Sequence, residues 1–178
     1  HLKIAKPFGA KVIFLTDSPG AAVYDPVKSE LKNVTIKLNQ TETDIADIDI
    51  FGSNLYVLAK NDANIYKHIL TAGGYAKGEQ WILGGAEKEI KDPVSISIDG
   101  DIYLLQSSDN SGTVLKFTKG IKQEFTLPPL LIPLKNTAKI IAANLKNLYI
   151  LDPDNKRVVI FSKDGKTFSQ ITSDKFDN

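Results

Sequence analysis

The amino-acid sequence predicts an all-β fold made of short antiparallel strands that recur along the chain. A strand-like phrase centred on a tyrosine occurs three times, as Asn54–Leu58, Asp101–Leu105 and Asn147–Leu151. Its tyrosine recurs after 47 and then 46 residues. No segment carries a sustained helical period of 3.6 residues. A repeat of this length is typical of a four-stranded blade, so the sequence predicts a β-propeller of four-stranded antiparallel blades, about four of which are present.

Each unit of the repeat divides into four strands. The first strand precedes the phrase, and the phrase is the second strand. Between them, Asp99-Gly100 has the residue types that a tight type I′ hairpin requires. The predicted first strands are Ile45–Phe51, Val94–Ile98 and Ala138–Ala143; the third strands are Asn64–Ile69, Thr113–Thr118 and Arg157–Ser162; the fourth strands are Gln80–Leu83, Gln123–Leu127 and Phe168–Ile171.

The N-terminal part carries a fainter copy of the repeat. Lys11–Leu15 resembles the second strand, Ala21–Tyr24 the third and Val34–Leu38 the fourth. We therefore predict one domain over residues 1–178, or a partial propeller, with approximate blades at 1–44, 45–92, 93–137 and 138–178. Because the sequence contains no methionine, we expect it to be a piece of a longer protein, with His1 left over from a tag.

Composition disfavours several classes of partner. The net charge of +1 produces no strong field, and Arg157 is the only arginine, so nucleic acid is not an expected partner. No apolar run reaches the roughly 18 to 20 residues of a membrane helix, so no membrane span is expected in this segment. The absence of cysteine excludes disulfides and leaves the compartment open. An extracellular or cell-surface location in a bacterium is favoured over the cytoplasm.

The last unit carries a family resemblance, in the segment Asn147-Leu-Tyr-Ile-Leu-Asp-Pro-Asp-Asn-Lys-Arg-Val-Val-Ile-Phe161. It resembles the blades of NHL-type and YVTN-type β-propellers, in which a strand ends in aspartate and an Arg-Val/Ile pair opens the next strand. The other units depart from this pattern, since Ala59 and Gln106 replace Asp152, and Asn64 replaces Arg157. The resemblance implies six or seven blades in the parent, and hence open blade edges here that are expected to self-associate.

Four aspartates are the candidate ligands for a hard cation such as Ca²⁺. Asp44, Asp47 and Asp49 lie on or just before a first strand, which lines the central channel of a propeller, and carboxylate oxygens are the ligands that Ca²⁺ prefers. Asp152 opens a second oxygen-rich segment. The alternative is that these side chains are solvated or cap turns, and that Asp152 pairs with Arg157. No bound cofactor is predicted.

The candidate binding residues are mainly aromatic. Trp81, Tyr66 and Tyr75 are proposed as a platform for a peptide or a sugar, with Arg157 as a fourth candidate. The alternative for Trp81 is packing between neighbouring blades. A proline-containing segment at Leu127–Thr137 is expected to run extended along the outside of a blade, and its Leu130–Ile132 stretch is the alternative site for a partner.

The sequence contains no catalytic constellation, and His68 is its only histidine apart from His1. The leading hypothesis is therefore a non-enzymatic propeller scaffold that binds a protein, peptide or glycan through loops such as Lys60–Ala63 and Ser107–Ser111. The alternative hypothesis is a metal-dependent, Ca-type propeller enzyme with carboxylates near the central channel.

Overall fold

The computed structural model describes residues 2–16, 20–108, 111–142 and 145–173, and in this part of the chain it confirms the all-β propeller of four-stranded antiparallel blades. Sheet 1 contains β1 (Leu2–Phe8), β2 (Lys11–Thr16), β3 (Ala21–Asp25) and β4 (Glu30–Val34). Sheet 2 contains β5 (Ile45–Phe51), β6 (Asn54–Ala59), β7 (Asn64–His68) and β10 (Glu79–Gln80), and β8 (Leu70–Thr71) pairs with β9 (Gly74–Tyr75) beside it. Sheet 3 contains β11 (Pro93–Ile98), β12 (Asp101–Ser108), β13 (Ser111–Thr118) and β14 (Ile121–Gln123). Sheet 4 contains β15 (Lys139–Ile141), β16 (Asn147–Asp152), β17 (Arg157–Ser162) and β18 (Phe168–Thr172).

The first strand of each sheet lies at the centre of the arrangement. Strand β5 contacts β1 on one side and β11 on the other, and β11 in turn contacts β15. The remaining strands of each sheet follow outward in chain order, apart from the insertion of β8 and β9 in sheet 2. Two short 3-10 helices, Ala86–Glu89 and Pro153–Asn155, are the helical segments of the described residues, and neither is long or apolar enough to span a membrane.

The tyrosine phrase forms the second strand of sheets 2, 3 and 4, and its alternate side chains hold successive sheets together. In β6, Leu55 and Val57 belong to the apolar cluster between sheets 1 and 2. Tyr56 and Leu58 belong to the cluster between sheets 2 and 3. All four are buried. Neighbouring residues of a strand point to opposite faces, so a second strand that is apolar on both faces can seal two interfaces.

The fourth strands of sheets 1, 2 and 3 differ from the prediction in a consistent way, whereas the predicted strand Phe168–Ile171 is confirmed as β18. The predicted strand Val34–Leu38 begins where β4 ends, and the predicted strands Gln80–Leu83 and Gln123–Leu127 begin where β10 and β14 end. In these three sheets the chain leaves the fourth strand early because its next residues cross to the following sheet. Thr35 O accepts a hydrogen bond from Tyr75 N at 2.8 Å, and Leu83 N donates to Gly120 O at 2.8 Å.

Glycine is required where these crossing segments touch the next sheet. A Cβ atom at Gly120 would lie 2.4 Å from Trp81 O, and one at Gly165 would lie 2.4 Å from Thr126 O. Both glycines also have positive φ angles, of 84° and 72°. The apolar character that predicted strands at Trp81 and Phe125 therefore arises from packing between sheets.

Two further predicted boundaries differ from the structure. The predicted loop Ser107–Ser111 is largely strand, since β12 continues to Ser108 and β13 begins at Ser111; residues 109 and 110 lie outside the described residues. The predicted strand Ala138–Ala143 is shorter, as β15 covers Lys139–Ile141, and Ala143 also lies outside the described residues.

Candidate functional site

A cavity of about 820 Å³ lies at the centre, between the first strands of all four sheets. Its walls are residues 5–9 of sheet 1, 49–52 of sheet 2, 97–99 of sheet 3 and 139–141 of sheet 4. Phe51 and Ile141 are 44% and 48% exposed at its edge. Its volume falls within the range of roughly 300 to 1,000 Å³ that small-molecule sites occupy.

The centre holds two lysines and two aspartates, which we call the central charge cluster: Lys6, Asp47, Asp49 and Lys139. Asp47 is 1% exposed and accepts a hydrogen bond from Lys139 Nζ at 2.7 Å on one carboxylate oxygen. Its other oxygen lies 3.4 Å from Lys6 Nζ. The side-chain nitrogens of Lys6 and Lys139 thus lie at the two carboxylate oxygens of Asp47, where a bound metal ion would have to lie.

Asp47 also connects the central strands to one another. The oxygen that faces Lys6 accepts hydrogen bonds from Ser95 Oγ at 2.6 Å and from Ile96 N at 3.0 Å. Ser95 Oγ in turn accepts a hydrogen bond from Ile140 N at 3.3 Å. One carboxylate therefore joins sheet 2 to sheet 3, and through Ser95 to sheet 4.

Burial shifts the protonation of two members of the cluster toward the neutral form. Desolvation lowers the pKa of Lys6, and the nearby carboxylates of Asp47 and Asp49 offset this only in part. Desolvation also raises the pKa of Asp49, although Lys6 and the backbone N–H groups of Ile50 and Ile98 act in the opposite direction. Perturbed groups that line a cavity are a physical indication of a functional site.

The hydrogen bonds of the cluster follow a repeated pattern. Asp49 accepts from Ile98 N at 2.9 Å, and Ser97 Oγ accepts from Ala142 N at 2.9 Å. Asp49 and Ser97 hold equivalent positions, since each lies opposite the tyrosine of its phrase. In both sheets the side chain at this position accepts the N–H of the next central strand.

The two aspartates of the cluster are among the residues predicted from the sequence, whereas the two lysines are not. Lys6 is 41 residues and Lys139 is 92 residues from Asp47 along the chain. The signal that identifies Lys139 is its register, because it lies opposite the last leucine of its phrase, as Asp47 and Ser95 do. That signal becomes usable only when the pairing of first and second strands is known.

The other two metal candidates lie elsewhere. Asp44 is exposed and precedes β5, while Asp152 is fully buried at the end of β16 in sheet 4. Among the described residues, no group of three or more histidine, cysteine, aspartate or glutamate side chains is arranged to hold a metal ion.

The three aromatic candidates do not share one surface. The ring of Trp81 makes edge contacts with Tyr56 at 6.0 Å and with Phe117 at 6.5 Å, between sheets 2 and 3. Tyr75 is buried in the cluster between sheets 1 and 2. Tyr66 is also buried, and its hydroxyl contacts Thr41 Oγ1 at 2.8 Å.

Arg157 holds the proline-containing segment against sheet 4. Its Nε donates to Asp152 at 2.8 Å, which is the pair that the sequence predicts, and its Nη2 donates to Ile132 O at 2.6 Å and to Pro133 O at 3.2 Å. Asp152 also accepts from Lys135 N at 3.1 Å. Arg157 is 4% exposed, so its donors are directed at side-chain and backbone groups of the protein itself.

The proline-containing segment forms one wall of a second, outer pocket. This pocket has a volume of about 420 Å³ and lies between the segment and β13. Phe125, Leu127 and Leu130 are among its lining residues, and Leu131 beside it is 99% exposed. The proline-containing segment therefore packs against the protein at Leu127 and Leu130 and also exposes an apolar side chain at Leu131.

His68 forms a buried pair with Glu42. Its Nε2 lies 2.6 Å from a Glu42 carboxylate oxygen, its Nδ1 lies 2.9 Å from Ala76 O, and both side chains are fully buried. Each ring nitrogen therefore has a hydrogen-bond partner inside the protein. The pair fastens the segment before β5 to β7.

No protein-family model matches the sequence, and no curated protein matches it. Solved structures do match. A streptogramin B lyase structure aligns with a TM-score of 0.58 at 16% identity, over 93% of this chain and 52% of the lyase. Virginiamycin B lyase from Staphylococcus aureus aligns with a TM-score of 0.57 at 15% identity, over 97% of this chain and 55% of the lyase. A catalytically inactive histidine-to-alanine form of that lyase, with quinupristin, also aligns at 0.57 and 16% identity.

These similarities show the fold. The chain spans about half the length of the solved structures that it matches. The coarse prediction of a β-propeller is confirmed, and the sequence identities are too low to carry function across.

Proposed function

We propose that this chain is a non-enzymatic propeller scaffold that binds a protein, peptide or glycan partner at the central cavity. The observation that carries the proposal is the coexistence of a cavity of about 820 Å³ with charged groups that are already paired. Such a site offers shape, apolar edges and a few fixed polar groups, which is what recognition requires.

The chemistry of the cavity favours a peptide segment of a protein partner. Its edge is apolar at Phe51 and Ile141, and its wall presents charges of both signs from Asp49 and Lys139. A peptide backbone supplies donors and acceptors, and its side chains supply apolar groups and either charge. A neutral glycan would pack the C–H faces of its rings on Phe51 but has no charged groups to match Asp49 and Lys139, so it is the less suitable occupant.

Two further observations support a non-enzymatic role. Asp47 accepts hydrogen bonds or ion pairs from Lys6, Lys139, Ser95 and the Ile96 backbone, and a carboxylate so engaged is a poor general base or metal ligand. The similar lyase has a catalytically inactive histidine-to-alanine form. In the described part of this chain the histidine is His68, which is fully buried against Glu42 and away from the cavity lining.

We also propose an NHL-type or YVTN-type ancestry of the repeat, a division into blades near residues 44, 92 and 137, and an extracellular or cell-surface location. The segment from Asn147 to Phe161 supports the ancestry, because its Asp152 and Arg157 make the pair that closes the loop between β16 and β17.

The proposal is tested by applying the fluorescently labelled chain to a peptide library and to a glycan array. The informative variant is Phe51→Ser at the cavity edge, and its matched control is Phe168→Ser, since the two rings are 44% and 45% exposed. We expect binding to peptides that Phe51→Ser weakens about tenfold and that Phe168→Ser leaves unchanged.

Absence of binding in both formats, or equal weakening by the two variants, would contradict the proposal. Thermal unfolding with added CaCl₂ or with EDTA tests the alternative of a Ca-type enzyme. A higher melting temperature in calcium that Asp49→Asn abolishes would favour that alternative, because it would show a metal held by the central carboxylates.

A further inference from the structure

The outer side of sheet 4 repeats the surfaces by which the other sheets meet their neighbours. Tyr103 and Leu105 of β12 are buried against sheet 4, at 2% and 0% exposure. Their equivalents in β16 are Tyr149 and Leu151, on the face that points away from sheet 3. Leu151 is 41% exposed, and Ile141 on the same side of β15 is 48% exposed.

Sheet 1 carries the complementary surface. In β12, Ile102 and Leu104 are buried against sheet 2. Their equivalents in β2 are Val12 and Phe14, which are only partly buried, and Tyr24 beside them is 36% exposed. Each flank of the chain therefore resembles one half of an interface that is complete between the inner sheets.

These two flanks do not cover each other within one chain. The apolar clusters of the described residues lie between sheets 1 and 2, sheets 2 and 3, and sheets 3 and 4. None of these clusters joins sheet 4 to sheet 1. The ring of sheets is therefore open between β15 and β1 in the described part of the chain.

The two flanks also lack, one the acceptor and the other the donor, the hydrogen bond that joins the inner sheets. At each junction from sheet 2 onward, a side chain opposite the phrase tyrosine accepts the N–H of the next central strand. In sheet 4 that position is Ile141, which has no acceptor. In sheet 1 the residue equivalent to Ile98 is Pro7, opposite Val12, and it has no N–H to donate.

We propose that two copies of this chain associate head to tail, with sheet 4 of each copy packed on sheet 1 of the other. The junction places Ile141 against Pro7, an apolar pair where the inner junctions have a hydrogen bond. Two such junctions related by a twofold axis close a ring of eight sheets, which is within the range of known propellers.

Association would also complete the central cavity. The cavity is walled by the four central strands, and its lining includes Pro7 on one flank and Ile141 on the other. In the proposed ring the partner copy supplies four more central strands, so both copies line the same central space. A ligand of the cavity would therefore contact both copies.

The first experiment measures the mass of the 178-residue chain in solution by light scattering after size-exclusion chromatography. We expect twice the mass of one chain, and we expect Ile141→Asp to give a folded monomer by circular dichroism. Leu131→Asp is the control, because Leu131 is 99% exposed and lies on neither flank. A monomeric wild type, or a dimer that survives Ile141→Asp, would overturn the proposal.

The second experiment uses the absence of cysteine from the chain. The double variant Pro7→Cys/Ile141→Cys is oxidised and run on a non-reducing gel beside the two single variants. We expect a covalent dimer from the double variant alone, because each junction pairs position 7 of one copy with position 141 of the other. A disulfide within a monomer would show that one chain closes on itself, and a ladder of larger species would show open-ended association; either result would overturn the proposal.

Discussion

Replacement of Asp47 tests whether one buried carboxylate holds the central strands together. Asp47→Asn retains an oxygen for Ser95 and for Ile96 N and loses the negative charge. Hydrogen bonds to a charged group contribute about 1.5 to 3 kcal/mol, against about 0.5 to 1.5 for neutral ones. Since Lys139 is partly exposed and can turn to solvent, we expect Asp47→Asn to lower the free energy of unfolding by about 2 kcal/mol.

Asp47→Ala is expected to cost more, because it also leaves the Ile96 N–H and the Ser95 hydroxyl without their acceptor and leaves Lys6 with Asp49, at 4.0 Å, as its remaining carboxylate. Removing one partner of a buried ion pair costs about 3 to 5 kcal/mol. In a chain of this size, 1 kcal/mol corresponds to about 2 to 4 °C in the melting temperature. We therefore expect a decrease of about 4 to 8 °C for Asp47→Asn and of about 6 to 20 °C for Asp47→Ala.

Thermal and urea unfolding followed by circular dichroism measure both variants. Asp44→Asn is the matched control, since Asp44 is an exposed aspartate just before the same strand and its replacement should change stability by less than about 0.5 kcal/mol. The reasoning is refuted if Asp47→Ala unfolds within about 0.5 kcal/mol of Asp44→Asn.

Three further predictions concern Gly120, Arg157 and Lys6. Gly120→Ala should destabilise the chain by about 1 to 3 kcal/mol more than Gly84→Ala in urea titrations, because both glycines have similar positive φ angles but only Gly120 has a backbone oxygen 2.4 Å from the added Cβ; equal losses would contradict this. Arg157→Lys should accelerate limited proteolysis of residues 128–135, since lysine cannot replace the guanidinium bonds to that backbone; an unchanged cleavage rate would oppose the assignment. Burial lowers the pKa of Lys6 below its ordinary 10.5, so the unfolded chain binds more protons than the folded chain as the pH approaches that value. The free energy of unfolding of the wild type, measured relative to that of Lys6→Met, should therefore increase with pH in this range. A relative stability that does not change with pH would show that the shift is absent.

The architecture was predictable because strand pairing in this fold is local. Each phrase pairs with the strand just before it and the strand just after it, so Leu55 and Tyr56 already indicate two buried faces in the sequence. The predicted fourth strands Gln80–Leu83 and Gln123–Leu127 lie too late in the chain, because the pattern alone does not show why Trp81 and Phe125 are apolar. They pack between sheets, whereas the pattern treats them as members of a strand.

The central site was predictable only in part. The aspartates stood out because a carboxylate on an apolar strand is unusual, whereas Lys6 and Lys139 resemble the many surface lysines of the chain. What distinguishes the two lysines is their distance to Asp47, and that distance depends on how four sheets are arranged around one axis. To predict from the sequence that Lys6 and Lys139 pair with Asp47, one would need the register of every first strand with its second strand.

The decay of the repeat explains why the centre is asymmetric. The position opposite the last leucine of the phrase is occupied by Asp47 in sheet 2, by Ser95 in sheet 3 and by Lys139 in sheet 4. The backbone requirement is seen in β11 and β15, whose Ile96 and Ile140 N–H groups donate to side chains of the preceding sheet. Aspartate and serine satisfy it directly, whereas lysine cannot, and Lys139 instead reaches across the centre to Asp47. A repeat that carries aspartate, serine and lysine at one equivalent position produces a centre in which each sheet presents a different side chain.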